Sequence, residues 1–138
     1  MKKIIKLCFL LLVAGSLQAQ SSRYVSTSNK KTCYWNASSA AFDNCGDNAE
    51  YNSLFILNED ETMFTHTTND MKSAYYVKEK KYLSSCSCYS YSVTSDVGNK
   101  YIYILDFDND QLMIKSLGHK DEADDYTLIF SIKRTWKD

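Results

Sequence analysis

The chain has 138 residues, 24% of them charged and 14% aromatic, with 4 Gly, no Pro and a formal net charge of -1. This length fits one domain and excludes a two-domain enzyme, a TIM barrel or a full dinucleotide-binding fold. The near-neutral balance argues against nucleic acid as a partner, and 11 Tyr with 6 Phe argue against a disordered chain.

The first segment reads as a secretory signal. Lys2, Lys3 and Lys6 supply the positive start, residues 7–14 are an uncharged apolar run, Gly15-Ser16 loosens it, and the small residue Ala19 closes it. The run is too short for a membrane span, which needs about 20 residues. Cleavage is expected after Ala19, with Gln20 as the alternative, giving a signal over 1–19 and one domain over 20–138. Cys8 lies near the start of the apolar run rather than at its end, so lipid anchoring is not expected. The signal resembles those of Gram-negative bacteria, which implies the periplasm, the outer surface or the medium. The first 20 residues hold three Lys and no acid, so the remainder carries 13 basic and 17 acidic residues, a net charge of −4.

Beyond the signal the residues read as strands and turns. Residues 24–28 and 32–35 are two short candidates, and residues 43–51 have room for one turn or a short helix. The apolar run at 53–57, the polar turn at 58–61 and the β-branched and aromatic run at 62–67 predict a hairpin. Residues 73–77 form a further strand that leads into the basic segment 78–81, read as a strand end or turn. Ser87, Tyr89, Tyr91 and Val93 alternate with Cys88, Ser90, Ser92 and Thr94, a period of two that places one set on a buried face. After the turn at 96–99, residues 100–105 are apolar on both faces, as in a central strand. Residues 106–110 turn the chain into 112–114, and a polar loop at 118–125 precedes a last apolar run at 126–132, also two-sided at its middle. The two-sided strands imply a sheet that wraps or is covered on both faces. Short consecutive strands joined by polar turns predict an all-β fold with little helix. The expected architecture is an antiparallel meander of about seven to nine strands, forming a small barrel or a two-layer sandwich.

Four cysteines remain after the signal: Cys33, Cys45, Cys86 and Cys88. An even set in a small exported domain reads as disulfides. A Cys86–Cys88 bridge within one extended strand would be strained. The spacing therefore favours the pair Cys33 and Cys45 crossing to the Cys86/Cys88 strand, with Cys33–Cys45 close behind. Closing the latter short loop stabilises by roughly 3 kcal/mol in the chain-entropy view. The spacing matches no zinc motif.

Asp106, Asp108 and Asp110 form an Asp-x-Asp-x-Asp series, a weak calcium candidate. Gln111 and Leu117 stand where an EF-hand needs Gly and Glu, and the acids lie between two strands, so a turn is the preferred reading. The acidic loop 121–125 reads as solvated. His66 and His119 are the two histidines, and no hydrolase, metalloprotease or phosphate-loop motif accompanies them. Neither a catalytic residue nor a cofactor is expected. Tyr75, Tyr76, Tyr82, Tyr89, Tyr91, Tyr101 and Tyr103 fall in three successive strands. Their first reading is cross-strand packing. The functional reading makes Tyr75, Tyr89, Tyr91, Tyr101 and Tyr103 a face for a ligand or partner.

Residues 61–68 (Glu-Thr-Met-Phe-Thr-His-Thr-Thr), 73–77 and 95–101 (Ser-Asp-Val-Gly-Asn-Lys-Tyr) resemble small secreted β-rich proteins of Gram-negative bacteria. That resemblance implies export and a compact β-domain, and brings no activity or site with it. The function expected is a non-enzymatic binding or interaction module, exported and soluble, whose partner is a protein or a small molecule. The alternatives are a small lipocalin-like barrel carrying an apolar ligand, or a periplasmic enzyme inhibitor. A hydrolase would require His66 or His119 beside an acid and a pocket.

Overall fold

The computed structural model describes residues 21–118 and 125–138. Within them the chain forms nine antiparallel strands and no helix: β1 Arg23–Asn36, β2 Ala41–Cys45, β3 Ala49–Leu57, β4 Met63–Thr67, β5 Lys72–Leu83, β6 Cys88–Ser95, β7 Lys100–Asp106, β8 Gln111–Leu117 and β9 Tyr126–Lys137. From β3 to β9 each strand pairs with the next, and β9 returns to pair with β1. The eight strands β1 and β3–β9 therefore close into a barrel, with β2 as an extra strand. Closure removes the free edges that a sandwich of the same strands would leave.

β1 is the seam. One of its edges is occupied by β9, from Arg23↔Lys137 to Tyr34↔Tyr126. The other is shared, with β3 along its first half and β2 along its last residues. The expected strands at 24–28 and 32–35 are thus one strand. A bulge between Thr27 and Asn29 resets the register on both edges, so the polar Asn29-Lys30-Lys31 segment stays in the ladder instead of turning out of it. The helix considered for residues 43–51 is also absent. β2 and β3 hold that stretch in extended form, and the Gly46 amide donates to the Thr32 carbonyl at 2.9 Å, keeping the chain alongside β1. A helical turn there would leave that edge of β1 unpaired. The basic segment 78–81 continues β5 rather than ending it, paired with β6 past a bulge between Val77 and Glu79.

The alternation on each strand sorts residues into an interior and an exterior. Val25, Phe55, Leu57, Phe64, Tyr91, Val93, Tyr103, Leu105, Leu112, Ile114 and Phe130 are the buried core. Aromatic edges meet faces along the axis: Phe55 packs edge-on to Phe130 and Tyr103, and Phe64 edge-on to Tyr91 with centroids 5.1 Å apart. An eight-stranded barrel is just wide enough for side chains to fill, and here they fill it. The two-sided apolar strands are explained by the wrap. Ile102, Ile104, Met113 and Ile129 alternate with inward residues and form a half-buried stripe on neighbouring strands.

Both disulfides are local. Cys33 bonds Cys45, its direct partner across β1 and β2, and Cys86 bonds Cys88 where β5 turns into β6. This corrects the favoured crossing between the two pairs. Cys33 lies toward the end of β1, where β9 begins, whereas Cys86 and Cys88 sit at the start of β6, which is the opposite end of the barrel.

Polar groups also reach the interior. Thr27 is 2% exposed, and its hydroxyl has no partner among the described residues. A buried hydroxyl left unpaired costs about 1–3 kcal/mol, whereas an apolar group of the same shape does not incur that cost. Thr27→Val should therefore raise the unfolding free energy by about 1 kcal/mol in urea titration, with the slope unchanged. A loss of stability would show that the hydroxyl is satisfied.

Candidate functional site

β3, β5, β7 and β9 all begin at the same end of the barrel, and each places a tyrosine on the inward phase close to its start: Tyr51, Tyr75, Tyr101 and Tyr126. Tyr103, one inward step deeper on β7, is 1% exposed. Around them lies a cup of about 150 Å³. Its floor is Ile114, Leu128, Phe130 and the ring of His66, and its rim carries Lys30 and Met71. The β4–β5 turn, closed by the Thr68 amide donating to the Met71 carbonyl at 2.8 Å, brings Met71 to the rim.

Tyr75 neighbours Tyr103, and Tyr101 neighbours Tyr126, around the cup. Burial, with the neighbouring tyrosines, pushes the Tyr103 hydroxyl far above the usual 10.0, so it stays a neutral donor. Tyr75 lies edge-on to Tyr101, with centroids 5.7 Å apart. The Lys30 ammonium sits 3.9 Å from the centre of the Tyr51 ring, a cation–π contact, and forms no ion pair among the described residues.

His66 is 6% exposed. It pairs across the ladder with Phe55 and stacks on it at 4.1 Å, while Phe130 meets it edge-on. Its Nε2 lies 3.1 Å from the Ser53 hydroxyl, which is itself buried. Burial first, and the charge of Lys30 second, lower its pKa from 6.5 to about 4. The ring is neutral at pH 7 and exchanges a hydrogen bond with Ser53. That partner is a hydroxyl, not a carboxylate of the kind that orients a catalytic histidine.

No protein-family model, no curated protein and no solved structure matches the chain. The site is therefore read from its own geometry.

The opposite mouth differs in kind. Glu61 forms an ion pair with Lys80 at 2.6 Å and accepts a hydrogen bond from the Tyr91 hydroxyl at 3.3 Å, and Lys80 lies 4.3 Å from the Tyr89 ring centre. A recess of about 200 Å³ beside them is lined by Arg23, Tyr89, Tyr91, Phe107 and Asp108 among others. The five tyrosines expected to share a face are thus divided. Tyr75, Tyr101 and Tyr103 line the cup, while Tyr89 and Tyr91 belong to the far mouth. Tyr91 and Tyr103 face each other across β6 and β7, yet each leans toward a different end of the core. Tyr51, Tyr126, Lys30 and Met71 escaped the sequence reading because they come from separate strands and a turn, and only closure brings them together.

The Asp106 carboxylate accepts from the Asn109 amide at 3.3 Å and from its side-chain nitrogen at 2.9 Å, the geometry of a turn. Among the described residues no group of three side chains is gathered that could hold a metal ion. His119 and residues 120–124 of the acidic loop lie outside the described residues.

The neutral, buried His66 makes stability depend on pH. Its folded pKa is below its unfolded one, so its contribution is intact above pH 6.5 and falls as the pH drops toward 4. The loss over that window should be roughly 3 kcal/mol. Comparing urea unfolding at pH 7 and pH 4 checks this: His66→Phe should lose much less stability over that interval than the parent chain. An equal loss in both would place the acid sensitivity elsewhere.

Proposed function

We propose that the protein is an exported, non-enzymatic binding module whose working surface is the tyrosine cup. The observation that carries this reading is the cup itself. It has an apolar floor, tyrosine hydroxyls and one cation without an ion-pair partner among the described residues, gathered from separate strands at the mouth of a filled barrel. Small-molecule sites commonly combine a mostly apolar lining with a few convergent polar groups, and barrel mouths are among their usual places. The amino-terminal basic and apolar pattern supports export. So do the two disulfides, since such bonds persist in oxidising compartments.

The closed barrel also favours the lipocalin-like reading, with its cargo restricted. Fully buried Phe55, Phe64, Tyr91, Tyr103, Leu112 and Phe130 occupy the axis, which leaves the cup to hold a compact ring rather than a long chain. An engineered apolar cavity of about 150 Å³ in another protein takes up benzene, which sets the scale for one six-membered ring. His66 and Ser53 make a contact that a Ser–His nucleophile also makes, but both lie in the core and no orienting acid accompanies them among the described residues.

Titration with phenol or benzyl alcohol, followed by NMR, tests this reading. Shifts should centre on the Met71 methyl and the Tyr75 and Tyr101 rings. Tyr101→Ala should weaken binding on the order of tenfold, the loss of one aromatic contact and its hydroxyl. Shifts centred on Tyr89 and Phe107, or no saturable shift at all, would contradict it.

A further inference from the structure

We infer that the cup selects a small aromatic carboxylate, with the ring against Phe130 and Leu128 and the carboxylate at the rim between Lys30 and the hydroxyls of Tyr75 and Tyr101. This inference deepens the reading of the cup as a ligand site and rests on it.

Three observations carry it. The first is charge. The described residues that line the cup include one cation and no acid, and Lys30 is held by an aromatic ring rather than by a carboxylate. The far mouth differs in holding acids: Glu61 pairs with Lys80, and Asp108 lines the recess beside Arg23, which lies over the Phe107 ring. An ammonium above a partly desolvated cup attracts an anion more strongly than one in open water. The second is the supply of hydroxyls. Tyr75 and Tyr101 line the cup together with Tyr103 and Tyr126. A phenol hydroxyl can donate as well as accept, and donated hydroxyls suit a carboxylate. The third is size. A floor of aromatic and aliphatic side chains with room for one ring excludes large anions such as nucleotides, and it leaves a bare inorganic anion without apolar contact.

His66 offers an internal reporter of this binding. It faces the cup and feels the Lys30 charge. An anion beside Lys30 offsets that charge and raises the His66 pKa. A neutral ring in the same place offsets nothing.

The test compares benzoate, benzyl alcohol and benzylamine on the full chain at pH 7, by calorimetry and by NMR of the His66 ring through a pH titration. Benzoate should bind roughly tenfold more tightly than benzyl alcohol, the usual scale of a charge-assisted hydrogen bond, and benzylamine more weakly than either. Benzoate alone should raise the His66 pKa. Lys30→Met should remove the preference for benzoate over benzyl alcohol, and Lys30→Arg should restore it. If benzyl alcohol shifts the cup residues but benzoate binds no better, the carboxylate inference fails and the ligand cup stands. If none of the three shifts them, the ligand cup fails and this inference with it.

Discussion

Everything in this molecule depends on β1 being paired along both edges. β9 lies along one side of it, while β3 and β2 share the other. That arrangement turns a meander into a cylinder. Without it β3 and β9 would be open edges, and Phe55 and Phe130, now in edge-to-face contact, would lie on the faces of a sheet with two free ends. The bulge at Thr27–Asn29 makes the double pairing possible over a long strand, since extra twist at one point lets a strand follow a curved wall. It also sets the phase that places Lys30 at the cup. A single irregularity near the middle of β1 thus serves both the closure and the site.

The two mouths differ in electrostatics although the same strands build them. At one end Glu61 neutralises Lys80 and engages Tyr91, leaving a tied-down polar surface. Both members of that ion pair are well exposed, so it organises the surface more than it stabilises the fold. At the other end five tyrosines and a lysine surround an apolar floor with no acid among the described lining residues. Burial acts there on two groups in a coordinated way. It keeps the Tyr103 hydroxyl protonated and the His66 ring uncharged, so the cup interior is neutral and the charge stands at the rim.

Much of the fold was legible from local pattern. The period-two run around Tyr89, Tyr91 and Val93, the turn at 96–99 and the two-sided strand at 100–105 all have direct counterparts in β6, β7 and the turn between them. Those signals depend only on neighbours a few residues away. What depended on distant residues was not legible. Asn29, Lys30 and Lys31 look like a break because they are polar, yet β9, from the far end of the chain, holds them in the ladder. Residues 43–51 look ambiguous because their extended form depends on β1 being beside them. The cup suffers from the same limit. Tyr75, Tyr101 and Tyr103 could be singled out by their strands, but Tyr51 and Tyr126 join them only once the cylinder closes. The disulfides show the reverse case: both join near neighbours in the chain, yet the spacing favoured a crossing between the two pairs.

The central claim is that the β1–β9 seam makes the barrel one cooperative unit, and native-state amide hydrogen exchange tests it most directly. If the seam is integral, the slowest amides of β1 and β9 exchange only through global unfolding, with the same opening free energy as those of β6 and β7. If β9 amides open at a distinctly lower free energy, with β6 and β7 still protected, the cylinder is a curled sheet with a weak join, and the account of both closure and cup is wrong.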